Sequence, residues 1–346
     1  MRIPYRVRRA LRSLGIFLLA MLLVAVVVWM IWLLWLERFV VYTREGAAID
    51  FNVSVEDLQG EAAVPPQDEE PVEIYYNEGA NAVSTSRELT QLYGYYLNSA
   101  ILQQRDMEEL RANIESLPKG SAVLLEVKNI YGEFYYSSAL GPESGEVNIA
   151  AMDDLISWLR TSGYYTIAMV TSFRDYYYGL NHDTYGLPHI DGGYLWADEN
   201  YCYWLNPDSA GTMNYLINIV AELKGLGFNE VVFSEFRFPD TDEIYYEGDK
   251  TESLNKAAAT LVANCVSETF AVSFISEDLT TFQLPAGRTR LYIKNATASQ
   301  AKDYAESCGF DFPEVNLVFM TEAKDTRFDA YGVLRPITLH SFETDE

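Results

Sequence analysis

From about residue 88 onward, apolar strand-like runs alternate with amphipathic helical stretches. The predicted strands are 91–98, 122–129, 166–173, 230–238, 271–276, 290–295, 316–321 and 332–339. The predicted helices between them are 103–116, 151–162, 210–226, 251–268 and 297–308. Because strands that alternate with helices form parallel sheets joined by crossover helices, the pattern restricts this part of the chain to the α/β class.

Glycine stands at three boundaries where a predicted helix gives way to a strand, namely Gly163, Gly227 and Gly309. Helices commonly end with glycine in the left-handed conformation, so these positions support the predicted helix ends. Eight strand–helix units in about 260 residues fit a closed (β/α)8 barrel of the TIM type. An open doubly wound sheet is the alternative, but no glycine-rich phosphate turn follows the first strand.

Near the N-terminus, residues 16–36 form an uninterrupted apolar run of 21 residues. A helix of this length spans a hydrocarbon core of roughly 30 Å. Five arginines precede the run, and this basic excess places the N-terminus in the cytoplasm. A cleaved signal peptide is the alternative, but its apolar region is usually about 7–15 residues long and is followed by a small-residue cleavage site, which is missing here.

The sequence therefore predicts a single-pass protein of the cell membrane with an extracellular barrel. Its segments are a basic cytoplasmic tail (1–14), a transmembrane anchor (15–37), a juxtamembrane segment with an acidic, proline-containing stalk (38–87) and the barrel (88–346). Within the third segment, residues 38–54 are rich in strand-forming side chains. Pro65, Pro66 and Pro71 indicate an extended stalk.

The chain is strongly acidic, with 25 basic and 50 acidic side chains and a formal net charge of -25. Such a surface repels phosphate backbones, so no nucleic acid partner is expected. The chain has three cysteines and three histidines: Cys202, Cys265, Cys308, His182, His189 and His340. Since they show no metal-ligand spacing, we expect no metal and no cofactor, and at most one disulfide.

Charged and polar residues stand at the carboxyl ends of the predicted strands, where barrel enzymes carry their catalytic groups. They are Glu126, Lys128, Asn129, Arg174, Asp175, Ser234, Glu235, Arg237, Lys294, Asn295 and Glu322. Carboxylates among cations suit glycosidic-bond cleavage, in which one acid protonates the leaving oxygen and a carboxylate stabilises or attacks an oxocarbenium-like centre. The alternative is that these charges are only solvated or paired with one another.

The segment that follows the third predicted strand is rich in aromatic residues. They are Tyr176, Tyr177, Tyr178, Tyr185, Tyr194, Trp196, Tyr201, Tyr203 and Trp204. Flat amphipathic rings on a barrel rim offer stacking surfaces for sugars. A small core beneath a long loop is an equally good interpretation.

Several of these segments resemble one family. GFNEVVFSEFRFP (227–239) resembles the GFDEIxFDYxRFP signature of a glycoside hydrolase-type barrel family called domain of unknown function 4015. LLEVKNIYGEFYYSS (124–138) resembles its DVKDxxGxxxYxS strand, and SFRD (172–175) and WADENYCYWLNP (196–207) follow the family's order. The resemblance is best over residues 90–240, and it implies a (β/α)8 barrel that acts on carbohydrate.

The match extends to individual residues. They are Lys128, Gly132, Ser138, Phe173, Asp175, Trp204, Asn206, Pro207, Arg237, Phe238 and Pro239. Glu126 and Ser234 each stand where the family has Asp, and serine cannot replace a carboxylate as acid or nucleophile at neutral pH. Both a diverged enzyme and a barrel that binds glycan without cutting it fit this departure.

We therefore expect a cell-surface glycoside hydrolase that acts on a polysaccharide or cell-wall glycan. The catalytic candidates are Glu235 as acid/base and Glu322 as the opposing carboxylate, with Glu126 and Asp175 in reserve. The expected substrate contacts are Lys128, Arg174, Ser234, Arg237, Trp196, Trp204, Asn206 and Tyr178. Because neighbouring strand residues point to opposite faces, Glu235 can act beside Ser234 only if the strand ends or bulges there.

Two other classes of function stay open. The first is a glycan-binding barrel without catalysis, which Ser234 favours and in which the aromatic loop would carry the affinity. The second is a surface protein whose acidic face meets a cationic partner, with binding that weakens steeply as salt is added.

Overall fold

The computed structural model describes residues 21, 22, 29, 40–43, 46–49, 89–104, 107–276 and 282–337. The chain divides into two compact units, Met1–Tyr76 and Asn77–Glu346. In the first unit, the strands Val40–Thr43 and Gly46–Ile49 pair in antiparallel fashion. The strand-forming character predicted for residues 38–54 is thereby confirmed where this segment is described, at 40–43 and 46–49.

Most of the predicted membrane anchor (15–37) and all of the proline-containing stretch of the stalk lie outside the described residues. Within the anchor, Met21, Leu22 and Trp29 are described, and all three are helical. No helix in the described part of the chain is long and apolar enough to cross a membrane. The anchor and the extracellular location stay predictions.

In the second unit, eight parallel strands close into a barrel. They are β1 (Tyr93–Leu97), β2 (Ala122–Lys128), β3 (Tyr165–Thr171), β4 (Glu230–Ser234), β5 (Ala271–Ile275), β6 (Leu291–Lys294), β7 (Leu317–Met320) and β8 (Gly332–Pro336). Each strand pairs with the next, and β8 pairs with β1 to close the ring. The predicted barrel is confirmed, and the doubly wound sheet is excluded.

Among the described residues, the helical layer around the barrel has fewer long helices than eight complete strand–helix units would give. The helices are α1 (Ser99–Gln104), α2 (Met107–Glu115), α3 (Ile149–Ser162), α4 (Tyr176–Asn181), α5 (Ala210–Leu226), α6 (Lys250–Cys265), α7 (Ala301–Ser307) and α8 (Pro313–Asn316). No helix is described between β5 and β6, where residues 277–281 lie outside the description. Between β7 and β8 the described chain forms a 3-10 helix, Thr326–Ala330.

Capping residues set the bounds of α5 and thereby position β4. The Ser209 side chain accepts a hydrogen bond from the Thr212 amide at the start of the helix. Such an N-cap contributes typically about 1 kcal/mol. Gly227 ends the helix with a φ of 96°, a left-handed conformation that costs glycine no steric strain. The chain then turns directly into Glu230, the first residue of β4.

A buried polar cluster fills the barrel at the amino-terminal ends of the strands. Arg290 Nη1 lies 2.5 Å from Glu230 Oε2, and both side chains are almost wholly buried. The hydroxyls of Tyr165 and Tyr292 each donate to the Glu230 carboxylate at 2.9 Å. Hydrogen bonds satisfy these buried charges. Since the buried side chains fill this end of the barrel, an accessible site within the barrel has to lie at the other end.

Candidate active site

A cleft of about 870 Å³ opens at the carboxyl ends of the strands. Its walls include Glu126, Met169, Thr171, Ser234, Ile275 and Lys294, together with residues 235–240. The cleft therefore draws on five strands, from β2 to β6. Its size is typical of small-molecule sites, and its position is the one at which barrel enzymes hold their catalytic groups.

Glu235 is the first residue after β4 and lines the cleft beside Ser234. Its backbone φ is 49°, in the left-handed region that residues other than glycine rarely adopt. Because the strand has already ended, the alternation of side chains along a strand no longer directs Glu235 to the face opposite Ser234. The strand thus ends before Glu235, which is the condition under which Glu235 can act beside Ser234. Backbone strain of this kind is common at functional sites.

Two arginines flank the Glu235 carboxylate. Arg237 Nη2 lies 2.9 Å from Oε2, and Arg174 Nη1 lies 3.9 Å from Oε1. The Glu235 side chain is 25% exposed, and Arg237 lines the cleft beside it. Both contacts are ion pairs, and the closer one, with Arg237, holds the Glu235 carboxylate in the cleft.

Trp204 lies beneath the two arginines. Its ring centroid is 4.9 Å from the Arg237 guanidinium carbon and 5.8 Å from that of Arg174, and the residue is 2% exposed. Trp204 is thus placed to support the arginines through cation–π contacts rather than to stack on a sugar. The expected substrate contact by Trp204 does not fit this burial.

Asp198 holds Arg174 and Trp204 together. It accepts hydrogen bonds from Arg174 Nε at 2.6 Å and from Trp204 Nε1 at 3.0 Å. Burial alone would raise the pKa of Asp198, but the hydrogen bonds from Arg174, Trp204 and the Cys202 and Asn200 amides together outweigh it and lower the pKa below its ordinary value. Asp198 is therefore a stable anchor for the arginine that approaches Glu235.

Glu126 on β2 supplies a second carboxylate to the cleft. Its Oε2 accepts a hydrogen bond from the Ser99 amide at 2.7 Å, which fixes the side chain against the start of α1. Residues 126 and 128 of a regular strand would point to the same face. The pairing of β2 with β3 shifts register between Glu126 and Lys128, which explains why Lys128 is not among the cleft residues.

Lys128 and Asp175 form a buried ion pair away from the cleft. Lys128 Nζ lies 2.8 Å from Asp175 Oδ2, and neither side chain is exposed. Lys128 also donates to the Thr171 carbonyl at 2.9 Å, and Asp175 accepts from the Tyr215 hydroxyl at 3.0 Å and the Tyr178 amide at 2.8 Å. Full burial does not fit substrate contact by Lys128 or catalysis by Asp175, and Asp175 instead caps α4.

Glu322 is exposed at the end of β7 and is not among the residues that line the cleft. Burial, together with the Glu322 charge, raises the pKa of Tyr96 on β1. Glu322 therefore lies on the β7–β1 side of the barrel rim. This placement favours Glu126 over Glu322 as the carboxylate that acts with Glu235.

Arg174 and three other expected substrate contacts also do not line the cleft. The Tyr178 ring stacks on Tyr215 with centroids 3.8 Å apart, and Asn206 Oδ1 accepts from the Asp208 amide at 3.0 Å in the turn before α5. Trp196 lines a separate groove in the loop that follows β3. Some rings of the aromatic loop thus form a small core, as one interpretation expects, while others stay exposed. Stacking of sugars on the exposed rings stays a prediction.

The cleft also contains residues that the sequence analysis missed, namely Asp240, Lys250 and Asn255. Asp240 directly follows the RFP segment (237–239), and a carboxylate in that position could have been noticed. Lys250 and Asn255 belong to α6, and helix packing that no local motif reveals brings them to the cleft.

Residues 94–277 match the sequence profile of the family DUF4015, described as "Putative glycosyl hydrolase domain". No curated protein matches the chain. A hypothetical protein from Ruminiclostridium thermocellum ATCC 27405 is similar in structure, with 20% identity over 52% of this chain and 96% of its own and a TM-score of 0.45.

Two further similar structures have a TM-score of 0.43 and 10% identity. Aspergillus fumigatus Ega3, in complex with galactosamine, aligns over 73% of this chain and 94% of its own. The glycoside hydrolase domain of PelA from Pseudomonas aeruginosa aligns over 72% and 96%. Because the family profile spans more than half of the chain, from β1 to the end of β5, this protein belongs to the DUF4015 family of glycosyl hydrolase-type domains.

Proposed function

We propose that this protein is a glycoside hydrolase that cleaves a polysaccharide in the barrel cleft, with Glu235 as acid/base and Glu126 as the second carboxylate. The observation that carries the proposal is the geometry of Glu235, which follows β4 in a left-handed conformation and lines the cleft in ion-pair contact with Arg237 and Arg174. Two carboxyl groups flanking one bond are the usual equipment for glycoside hydrolysis. Membership of a glycosyl hydrolase-type family supports the same reaction class.

The proposal includes a place in the cell. Residues 16–36 would anchor the protein in the cell membrane, with its N-terminus in the cytoplasm and its barrel on the outer side, where it would meet a surface or wall polysaccharide. The apolar length and the arginine excess before it support this topology. Protease added to intact cells should digest the barrel and spare the basic tail, and a barrel that is protected would contradict the topology.

The enzyme is tested with the full-length chain in mild detergent, incubated with bacterial wall and plant polysaccharides while new reducing ends are counted. Acid–base groups contribute typically about 10²–10⁴-fold, so Glu235→Gln should lower turnover by at least about 100-fold. Its thermal midpoint should stay close to that of the parent chain. Full turnover by Glu235→Gln would remove this residue from the mechanism.

The partner of Glu235 is decided by a matched pair of variants. Glu126→Gln changes a carboxylate that lines the cleft, whereas Glu322→Gln changes one outside it. We expect the first to lose turnover and the second to keep it. The reverse result would restore Glu322 as the opposing carboxylate.

Ser234 favours a second candidate function, a glycan-binding barrel without catalysis. It lines the cleft where the resembling family has Asp, and its hydroxyl donates to the Val170 carbonyl at 3.4 Å. Retention of the chain on one polysaccharide, with no release of reducing ends from any of them, would favour this function over hydrolysis.

A further inference from the structure

The loop after β3 forms a second groove, with a volume of about 590 Å³. Its walls include Asp183, His189, Tyr194, Trp196, Tyr201 and Glu243. None of these residues lines the barrel cleft. The proposed hydrolysis leaves this groove without a role.

Hydrogen bonds between two loops build the groove. From the loop after β3, the Ile190 amide donates to the Glu243 carbonyl at 2.7 Å, and the Pro188 carbonyl accepts from the Tyr245 amide at 2.8 Å. Trp196 Nε1 donates to Glu243 Oε2 at 2.9 Å. Because residues 243–245 come from the loop after β4, the groove joins the chain segment that carries Glu235. It is therefore a built site whose walls hold each other in place.

Exposed apolar side chains concentrate around this groove. Among the described residues of the second unit, the large exposed hydrophobics are Tyr93, Tyr131, Leu180, Ile190, Tyr194, Tyr201 and Tyr245. All except the first two lie on the groove or on the segments that form it. Tyr201 is 78% exposed and Tyr194 is 58% exposed, so both rings are open to solvent. Exposed patches of this kind mark interaction sites, and flat rings suit the faces of sugars.

The groove is also acidic. Asp183 and Glu243 line it, and no Lys or Arg is found among its described walls. Asp198 also lines it, but its carboxylate is paired with Arg174. In the barrel cleft, by contrast, three acidic side chains are matched by three basic ones. The two segments that form the groove, 176–204 and 240–249, contain no Lys or Arg at all. Such a surface attracts cations and repels anionic polymers.

One arginine separates the groove from the catalytic candidate. Asp198 lines the groove and pairs with Arg174 at 2.6 Å, and Arg174 lies 3.9 Å from Glu235. A polymer held in the groove would therefore lie next to the cleft.

We infer that the groove is a second, non-catalytic binding site for a polysaccharide that carries free amino sugars. Its protonated amines would meet the carboxylates of Asp183 and Glu243, and its ring faces would stack on Tyr194 and Tyr201. The inference rests on the proposed function in one respect, namely that this cationic polymer is the substrate of the neighbouring cleft.

Binding is tested by calorimetry with three hexasaccharides, of glucosamine (cationic), N-acetylglucosamine (neutral) and galacturonic acid (anionic). The full-length chain carries Glu235→Gln so that it does not consume the probe. We expect affinity to fall in that order, and Tyr201→Ala to weaken glucosamine binding roughly tenfold. Tyr93→Ala is the matched control, because it removes an exposed ring at the opposite end of the barrel and should change nothing.

Glu243→Gln tests the contribution of the Glu243 negative charge to binding. The glutamine oxygen can still accept the Trp196 hydrogen bond, so the variant should bind the neutral hexamer as before and lose several-fold in affinity for the cationic one. Equal affinity of the Glu235→Gln chain for the cationic and neutral hexamers would overturn the inference. Binding that Tyr201→Ala leaves unchanged would overturn it as well. A chain with Glu235 intact that binds in the groove but releases no reducing ends would refute only the hydrolase. Turnover without Tyr201-dependent binding would refute only the groove.

Discussion

Lys128 Nζ lies 2.8 Å from Asp175 Oδ2, and both side chains are wholly buried. The pair joins the end of β2 to the start of α4, and the Tyr215 hydroxyl completes it with a hydrogen bond to the same carboxylate. Two residues that match the family motifs thus stabilise the loops around the cleft. Their charges depend on each other, because neither one can reach water.

Asp175→Asn should lower the free energy of unfolding by about 3–5 kcal/mol, since it leaves the Lys128 charge buried without a partner. Urea unfolding measures the loss. The double variant Lys128→Met/Asp175→Asn should be less destabilised than the sum of the two single variants. An Asp175→Asn chain of normal stability but without turnover would contradict this role and return Asp175 to catalysis.

Gly132→Ala should destabilise the chain more than Gly120→Ala. The two glycines have φ values of 82° and 84°, so the backbone strain is matched. A Cβ at position 132 would lie 2.1 Å from Asp175 Oδ1, whereas nothing lies within 4 Å at position 120. The clash should add about 1–3 kcal/mol, the usual cost of overpacking, as measured by urea unfolding. Equal losses in the two variants would show that Asp175 can move aside.

Local pattern was sufficient to predict the barrel strands. A buried strand such as β3 (Tyr165–Thr171) is a mostly apolar run, and Gly163 before it ends the preceding helix with a φ of 80°. The five predicted helices are also present, whereas the short helices α4 and α8 were not predicted. The 3-10 helix Thr326–Ala330 takes the place of a full helix between β7 and β8, and its five residues are too few to show amphipathic periodicity.

The sequence is sufficient to locate the site but not to assign a role to each of its residues. A position at a strand end indicates which end of the barrel a residue occupies, yet it does not show whether the side chain points inward. Glu126 and Lys128 illustrate this, because the register shift that separates them depends on pairing with β3. Trp204 is another example, since its burial follows from the arginines above it and not from its neighbours in the sequence.

Cys202 and Cys265 should resist alkylation in the native chain at pH 8. All three cysteines are free thiols, and burial is the main cause that raises the pKa of Cys202 to about 11 and that of Cys265 to about 12. Since only the thiolate reacts, labelling by iodoacetamide should be slow at both positions and should reach three thiols in denaturing urea. Fewer than three thiols in urea would reveal a disulfide and contradict the structure.

Asp198→Asn should destabilise the chain at neutral pH and progressively less in acid. The pKa of Asp198 is lowered in the folded state, so its contribution to stability is present above the unfolded value of about 3.9 and is lost as the pH falls through the lower folded value. The urea midpoints of parent and variant should therefore differ at pH 7 and converge below about pH 4. Asp191→Asn, at a side chain that is 79% exposed, is the control and should show little difference at any pH. A gap that widens in acid would mean that Asp198 does not hold Arg174 as an ion pair, and the support behind Glu235 would have to come from Arg237 alone.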